Sequence, residues 1–452
     1  VYKRQQQQRR GFSFWFLDGF APDRNPQLWQ PQLMQQLADV SHQDAGVATF
    51  SAAGRVRRAL EAAGFEMRRV DQRPYKRESL AGRLHTGGLD RGTPPELVQV
   101  IGAGIAGASA ARHLADAGIA VRVTDAQGIA AGASAIPATV MHGRLQANTE
   151  ASGLLRAHAY LYARAFCARF ASASSDSPAT AISALQVSSE SVPASRLAAV
   201  AELYAATGNW LELLDAHSAT QRAGMPIAEP VLHFPRAWRI NTPALCAALL
   251  NHPDIELHTA ACDDWPSEPT IVACGVATRQ FPGAEYLELA GVAGQLDVFS
   301  TSLKEQPKVA LVGNGYVAPL ESGLAAGASY EYRPWAEADA SASNQQILQR
   351  LTGAQPEQLI WQARSRGERS VSSDRLPIAG ALRGIDGSTS VERFVSTGHG
   401  SMGTVSSHYA AAALVSSIVG DFSPLGAGEE LLSPARFRTR QAKRGYRFAA
   451  KN

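Results

Sequence analysis

Residues 98–125 read VQVIGAGIAGASAARHLADAGIAVRVTD. The apolar run Val98–Ile101 has the character of a buried strand and enters a turn carrying Gly102, Gly104 and Gly107. An Ala-rich helical stretch follows, Gly118 turns it, Ile119–Thr124 makes a second apolar strand, and Asp125 closes the unit. Each glycine answers a local need. Gly102 makes the tight turn, Gly104 lets the backbone approach a pyrophosphate, and Gly107 lets helix and strand pack closely. The helix start at Ile105 and Ala106 offers free N–H groups, with the positive end of the helix dipole behind them. Asp125 stands where a carboxylate accepts hydrogen bonds from a ribose. Strand, glycines, helix, strand and acid in register predict a dinucleotide site on a Rossmann-type α/β domain.

The chain of 452 residues suffices for two or three domains, and 45% hydrophobic content suffices for buried cores. A formal charge of +3 selects no class of partner. The four cysteines, Cys167, Cys246, Cys262 and Cys274, lack metal-ligand spacing, so no metal is expected. They read as small buried side chains in a reducing cytoplasm. No apolar run reaches the ~18 residues of a membrane span, and no signal peptide is recognisable. A cytoplasmic monomer without membrane contact is the expectation. The polar VYKRQQQQRR at residues 1–10 is set aside as an artefact or a disordered lead, with folded sequence beginning in mid-domain at residue 11.

Upstream of the fingerprint, Phe12–Leu17 reads as a strand ending at Asp18, followed by a helix over about Leu28–Ala38 and a strand at Val47–Phe50. A helix over Ala53–Ala63 stops at Gly64, and strands lie near Phe65–Val70 and Glu78–Ala81. This alternation over residues 11–84 suggests the second half of a doubly wound sheet. TGGLDRGTPP (Thr86–Pro95) marks a linker, taken as residues 85–96. Downstream come a small-residue loop at Gly128–Gly143, a helix over about Leu154–Phe170, and a Ser/Ala-rich connection at Ser172–Ser177. TIVACGVAT (Thr270–Thr278) is a second buried strand running into a glycine turn. Alternating segments at 287–332 suggest antiparallel strands of another domain. Phe394–Thr397 is a strand entering GHGSMG, and a helix follows over about Thr404–Val419.

The turn at Ala273 and Gly275 reads either as an ordinary strand end or as an element beside the dinucleotide. The GHGSMG turn is more telling. Gly398, Gly400 and Gly403, with Ser401 and Met402 between them, sit between strand and helix. A second helix N-terminus can there aim N–H groups at an electron-rich atom such as the N1–C2=O edge of a reduced flavin. His399 reads as a residue orienting this loop rather than as a base.

RSVSSDRLPIAG (Arg369–Gly380), with Asp374, Leu376, Pro377 and Gly380, resembles a segment of the D-amino-acid oxidase and glycine oxidase superfamily. The fingerprint, the Gly294–Gln295 pair and the terminal GHGxxG match that superfamily in the same order, over roughly residues 97–430. The resemblance implies a glycine oxidase-like fold. Its FAD-binding domain would comprise about 97–175, 263–285 and 366–430, and its antiparallel-sheet substrate domain about 180–262 and 286–365. It implies noncovalent FAD held by Gly102, Gly104, Ile105, Ala106, Gly107, Asp125, Ser134, Gly275, Gly398, Gly400, Ser401, Met402 and Gly403. Arg369 would bind the substrate carboxylate, a task suited to a planar guanidinium that can hold both oxygens. The alternative for Arg369 is a surface salt bridge in the strip Arg364, Arg366, Arg369.

FWFLDGFAPDRNPQLW (residues 14–29), ATFSAAGRVRRALEAAGF (48–65) and KRESLAG (76–82) resemble the end of a class I methyltransferase. More narrowly, they resemble the methyltransferase half of the bifunctional tRNA 5-methylaminomethyl-2-thiouridine biosynthesis family, in which that half is fused to a flavin oxidase in this order. GASAIPATVMHGRL (132–145), GNGYVAP (313–319) and GASYEY (327–332) occur at corresponding places of the oxidase half. The family loop usually reads GASGN, whereas Ala135 and Ile136 follow Ser134 here.

The resemblance implies FAD-dependent removal of the carboxymethyl group from 5-carboxymethylaminomethyl-(2-thio)uridine at the tRNA wobble position. Asp18 would hold the substrate amine in the methyltransferase. The S-adenosylmethionine loop does not occur in this sequence, so no methylation by this chain is expected. Two rivals remain at this point, a free glycine- or sarcosine-type oxidase and a tRNA-binding flavoprotein without turnover. Basic residues cluster at Arg55, Arg57, Arg58, Arg68, Arg69, Arg73, Lys76 and Arg77, and again at Arg436, Arg438, Arg440, Lys443, Arg444 and Arg447 within a basic tail, residues 431–452. They suit either a phosphate backbone or plain solvation. Trp210, Trp238 and Trp361 read as core, or as a stacking surface for a uracil ring.

Overall fold

The computed structural model describes residues 11–89, 94–172, 174, 176–189, 191–383, 389–420, 423–424 and 428–444. It divides into two compact units, one running to Pro95 and including Val415–Gly426, the other comprising Glu96–Leu414 and Ala427 onward. Residues 1–10, and with them the expected artefact, lie outside the described part.

The first unit holds strands β1 (Phe12–Leu17), β2 (Ser41–Thr49), β3 (Phe65–Gln72) and β4 (Lys76–Leu84), with helices α1 (Pro31–Asp39) and α2 (Gly54–Ala62). Met34 and Ala38 on α1 and Val56, Ala59 and Leu60 on α2 recur at helical spacing, and they meet Val47, Phe65, Leu80 and Leu84 of the sheet in one core. Three expectations change. The strand order is β1-β2-β4-β3, and only β1 and β2 run parallel. The link between β3 and β4 is too short for a crossover, so the pair can only be an antiparallel hairpin. The single helix expected over Leu28–Ala38 is split into a short turn at Pro26–Trp29 and α1, because Pro31 has no N–H to continue the ladder. The expected linker also starts late, since Leu89 still pairs with the backbone of Ser41 and Gln43.

In the second unit the chain weaves between two sheets. β5 (Leu97–Ile101) and β6 (Ala120–Asp125), joined by α3 (Ile105–Asp116), open the first sheet. β7 (Thr139–Met141) and, after helix α4 (Ala151–Cys167), β8 (Ala179–Gln186), β9 (Glu212–Leu214) and β10 (Val231–Ile240) belong to the second. β11 (Ile255–Thr259) and β12 (Thr270–Val272) return to the first, and β13 (Leu289–Thr301), β14 (Ala310–Gly313), β15 (Gly315–Leu320), β16 (Gly323–Gly327) and β17 (Leu359–Ser372) extend the second. β18 (Ile378–Arg383) and β19 (Thr389–Thr397) complete the first.

The first sheet has six strands in the order β11-β6-β5-β12-β19-β18, parallel except for β18. Val98, Val100, Ile271 and Val272 are fully buried, as expected of strands covered on both faces. The second sheet has nine strands and is mainly antiparallel, with one parallel pair, β8 and β14. This is the expected α/β architecture with an antiparallel substrate domain. Two boundaries move: Ile255–Thr259 pairs in the dinucleotide sheet, and Arg369 lies on β17 of the substrate sheet. The expected basic tail is a docked helix, Ala435–Lys443, whose Phe437 is fully buried among Phe281, Leu287 and Ile378. A phenylalanine within an arginine-rich segment was the cue for this.

Candidate active site

β5, β12 and β19 lie side by side and parallel, so their carboxyl ends emerge at one edge of the sheet. Each ends in a glycine turn, and that edge is where open α/β sheets bind ligands. Gly102 has φ +109°, and a Cβ there would lie 2.6 Å from the Ala273 carbonyl oxygen. A Cβ on Gly107 would fall 1.8 Å from the Gly102 carbonyl oxygen, so α3 packs on its turn at a distance only glycine permits. Gly275, Gly398 and Gly400 adopt φ +58°, +69° and +57°. Thr397 Oγ1 donates to the Gly275 carbonyl at 2.8 Å, tying the second turn to the third.

Two fingerprint residues do more than the sequence suggests. Asp125 accepts from the N–H groups of Ala103 (2.8 Å), Gln127 (2.8 Å) and Gly128 (3.0 Å). A carboxylate has about four acceptor positions, so about one remains for a ribose hydroxyl. Ser134 is buried, and its Oγ accepts the Ile105 N–H at 2.9 Å. The first helix donor is therefore capped from across the loop. Among the described residues, the N–H groups of Ala106 and Gly107 are left to face an anion. Gly104 also lies close to this cap, since a Cβ there would stand 3.2 Å from Ser134 Oγ, a tight contact that the serine would have to ease.

Gly400, Ser401 and Met402 form a 3-10 turn leading into the helix Gly403–Val419. His399 bridges Ser406 Oγ (2.9 Å) and Ser396 Oγ (3.4 Å) from its two ring nitrogens. Burial pushes its pKa down to about 4, so at neutral pH it is an uncharged brace for the loop.

All these turns open into one cavity of about 1490 Å³, which also contains Arg369. FAD fits the residues present. The glycines bring backbone close, the N–H groups of α3 are available, and the volume exceeds that of an ordinary drug-sized pocket. The thiols nearest the fingerprint are poor nucleophiles, since burial pushes Cys274 and Cys246 up to about 12.

At the far side, β13 and β17 pair with Val292 opposite Arg369 and Gly294 opposite Gly367. Gly294 is thus the diagonal neighbour of Arg369 on the same face. Arg369 Nη1 donates to the carbonyls of Ser329 (3.1 Å) and Ala293 (3.2 Å), and its guanidinium lies 5.4 Å from the Tyr330 ring centre. It has no acidic partner among the described residues, and burial holds its pKa below the usual arginine value. Its neighbours in the strip are paired: Arg366 with the buried Glu331 at 2.5 Å, and Arg364 with Glu337 at 2.5 Å. Glu331 also accepts from Ser329 Oγ at 2.6 Å, fixing the segment whose carbonyl holds Arg369.

The remaining candidates lie elsewhere. Asp18 is exposed at the end of β1 in the first unit. Arg55, Arg57, Arg69 and Arg73 pair with Asp23, Glu61, Glu78 and Asp71, whereas Arg58, Arg68 and Arg77 are exposed. In the C-terminal group, Arg436 and Arg440 bond Asp374 at 2.9 and 2.8 Å, and Arg438 stacks on Tyr286 at 4.1 Å. These arginines hold a helix in place, and Arg447 lies outside the described residues. Trp210 is buried, but Trp361 is 44% exposed with Arg364 over its ring, so it is not core. Sequence reasoning overlooked Arg144, Arg156, Arg375, Tyr330 and Tyr332, which also line the cavity.

The fold and the glycine-lined cavity define a flavoprotein oxidoreductase. Residues 98–417 match the family model for FAD-dependent oxidoreductases, and residues 3–85 match that for S-adenosyl-L-methionine-dependent methyltransferases. The chain is 30% identical to the tRNA 5-methylaminomethyl-2-thiouridine biosynthesis bifunctional protein MnmC of Stutzerimonas stutzeri (strain A1501), over 95% of this chain and 74% of that protein. The protein of the same name from Pseudomonas paraeruginosa (strain DSM 24068 / PA7) is also 30% identical, over 96% and 75%. The chain belongs to this family of bifunctional proteins. Among solved structures, glycine oxidase from Geobacillus kaustophilus superposes with a TM-score of 0.60 at 18% identity, covering 72% of this chain and 95% of that one. L-proline dehydrogenase from P. horikoshii gives 0.62 at 13% identity, covering 77% and 99%. At such identities these likenesses establish the fold alone.

Proposed function

We propose that this FAD-dependent oxidoreductase removes the carboxymethyl group from 5-carboxymethylaminomethyl-(2-thio)uridine at the wobble position of tRNA, leaving 5-aminomethyl-(2-thio)uridine. The observation that carries this reading is Arg369, a guanidinium without an acidic partner inside the cavity that the glycine turns enclose. An N-substituted glycine supplies the missing anion. The family relationship supports tRNA as the carrier of that group.

Bound FAD would supply a two-electron acceptor for the hydride on the carbon between nitrogen and carboxylate. Addition of water to the resulting C=N bond releases glyoxylate and leaves the primary amine. The protein's part is to hold and orient. Arg369 fixes the carboxylate, with its own position set by Ser329 and Ala293. Gly398–Gly403 brings a helix N-terminus to the cavity, where its N–H groups would stabilise negative charge on a bound flavin. Neutral His399 keeps that turn in shape.

Under this reading FAD is held without a covalent bond, residues 11–84 are part of a methyltransferase domain that binds no S-adenosylmethionine on its own, and residues from 97 onward carry the oxidase. Anaerobic mixing with tRNA bearing the modified uridine tests it. Flavin bleaching with release of one glyoxylate per flavin is expected. Bleaching by free glycine or sarcosine at equal efficiency, with none by the tRNA, would make it an amino-acid oxidase instead.

A further inference from the structure

Besides Arg369, the cavity is lined by Arg144, Arg156, Arg196, Arg350 and Arg375, none with an acidic partner among the described residues, and three of them, Arg144, Arg156 and Arg375, lie close enough to form one group. Arg144 Nη1 donates to Ser401 Oγ at 3.0 Å, at the turn that begins the helix Gly403–Val419. Arg375 Nη2 donates to Tyr332 Oη at 3.2 Å. The Nε of Arg156 is buried with no hydrogen-bond partner. Arg375 also has φ +59°, a left-handed conformation that non-glycine residues rarely adopt and that concentrates at functional positions. Burial, then repulsion from Arg144 and Arg375, weakens proton binding by Arg156, so the three feel one another's charge. Arg144 and Arg375 are exposed and Arg156 is half-buried, and like charges gathered around one cavity are unfavourable when it holds only water but favourable around an anion with several oxygens.

We propose that Arg144, Arg156 and Arg375 form a phosphate subsite beside the Arg369 carboxylate anchor, and that it receives a phosphodiester adjoining the modified uridine. The identity of that phosphate rests on the function proposed above. A nucleoside within a polynucleotide carries the carboxymethylamino group on its base and phosphates on its ribose, so two anions enter one cavity together. Guanidinium groups suit both, because their planar forks grip paired oxygens. The pyrophosphate of FAD has the same chemistry, but the Gly102–Gly107 turn already offers it a place. Arg144 reaches the other turn, at Ser401, and Arg375 reaches Tyr332 beside the substrate sheet.

The test titrates inorganic phosphate calorimetrically into the FAD-loaded protein, comparing wild type with Arg156→Gln/Arg375→Gln. The double variant is expected to bind phosphate at least ten-fold more weakly while retaining its FAD. A modified anticodon stem-loop should compete with phosphate for the wild-type protein. A wild type that binds no phosphate, or a variant that binds it equally well, overturns the proposal. Loss of FAD from the variant also overturns it and assigns the arginines to the cofactor's pyrophosphate. If phosphate binding weakens as expected but the stem-loop neither competes nor bleaches the flavin, the subsite stands and the tRNA reading falls. Arg375→Lys, which keeps the charge, should recover part of the affinity and so separates loss of charge from a local folding defect.

Discussion

The guanidinium of Arg369 occupies the space that a side chain on Gly294 would need: a Cβ on Gly294 would lie 2.0 Å from Arg369 Nη1. The two residues are diagonal neighbours on β13 and β17, and the absence of a side chain on one lets the charge of the other lie flat between the strands. Gly294→Ala is therefore expected to push the guanidinium off the Ser329 and Ala293 carbonyls while leaving the flavin in place. The rate of flavin reduction by modified tRNA should fall about ten-fold or more, as loss of a charge-assisted contact implies. Absorbance of the purified variant should show an unchanged flavin content.

Gly107 makes a different prediction, because its obstacle is rigid. Its missing Cβ would meet a backbone oxygen, so Gly107→Ala must separate α3 from the turn after β5. Overpacking of this kind costs about 1–3 kcal/mol. Denaturant unfolding should register that loss, and the variant should purify largely colourless.

The glycine fingerprint could be read directly because its requirements are local: turn, close approach and packing all act within a few residues. The partners of the site were not visible in the same way. Ser134 caps Ile105 from 29 positions away, and Arg436 meets Asp374 across 62. Such contacts depend on which strands become neighbours, and no local pattern records that. The basic C-terminal segment shows the consequence. Composition alone reads as a tail for phosphates, whereas pairing with Asp374 and burial of Phe437 make it structural. Arg369 was recognised from the motif around it, but its void at Gly294 and the neighbouring arginines appear only once β13 and β17 are paired.

Charge reversal at Arg436 should accordingly act on stability. Asp374 is 16% exposed in its side chain and Arg436 12%, so Arg436→Glu leaves two carboxylates facing each other in a shielded place. Breaking a buried pair costs about 3–5 kcal/mol, and the lower end applies to this partly open one. Thermal unfolding should shift down markedly. An unchanged midpoint would return this helix to the role of a mobile phosphate-binding tail.

Acid should weaken the fold in two stages. Burial holds His113, His142 and His399 down to about 4, so each is neutral in the folded protein but protonates near 6.5 when unfolded. Their contribution is full above about pH 6.5 and declines as pH falls towards 4. Burial raises the Asp374 carboxyl, but the hydrogen bond and charge of Arg436, helped by Arg440, outweigh that and hold it well below the usual carboxylate range. Its contribution is present above about pH 4 and is lost on further acidification. Denaturant midpoints measured from pH 8 to 3 should be level, then fall from about 6.5. Asp374→Asn should flatten the lower part alone.

The central claim is that Arg369 holds the carboxylate of an N-substituted glycine while flavin oxidises the adjoining carbon. Stopped-flow flavin reduction under anaerobic conditions, with tRNA carrying 5-carboxymethylaminomethyluridine, compares wild type with Arg369→Ala and Arg369→Lys. With FAD content equal in all three, the account predicts at least a ten-fold lower reduction efficiency for alanine and partial recovery for lysine, which keeps the charge without the fork. Reduction of Arg369→Ala at the wild-type rate would contradict it.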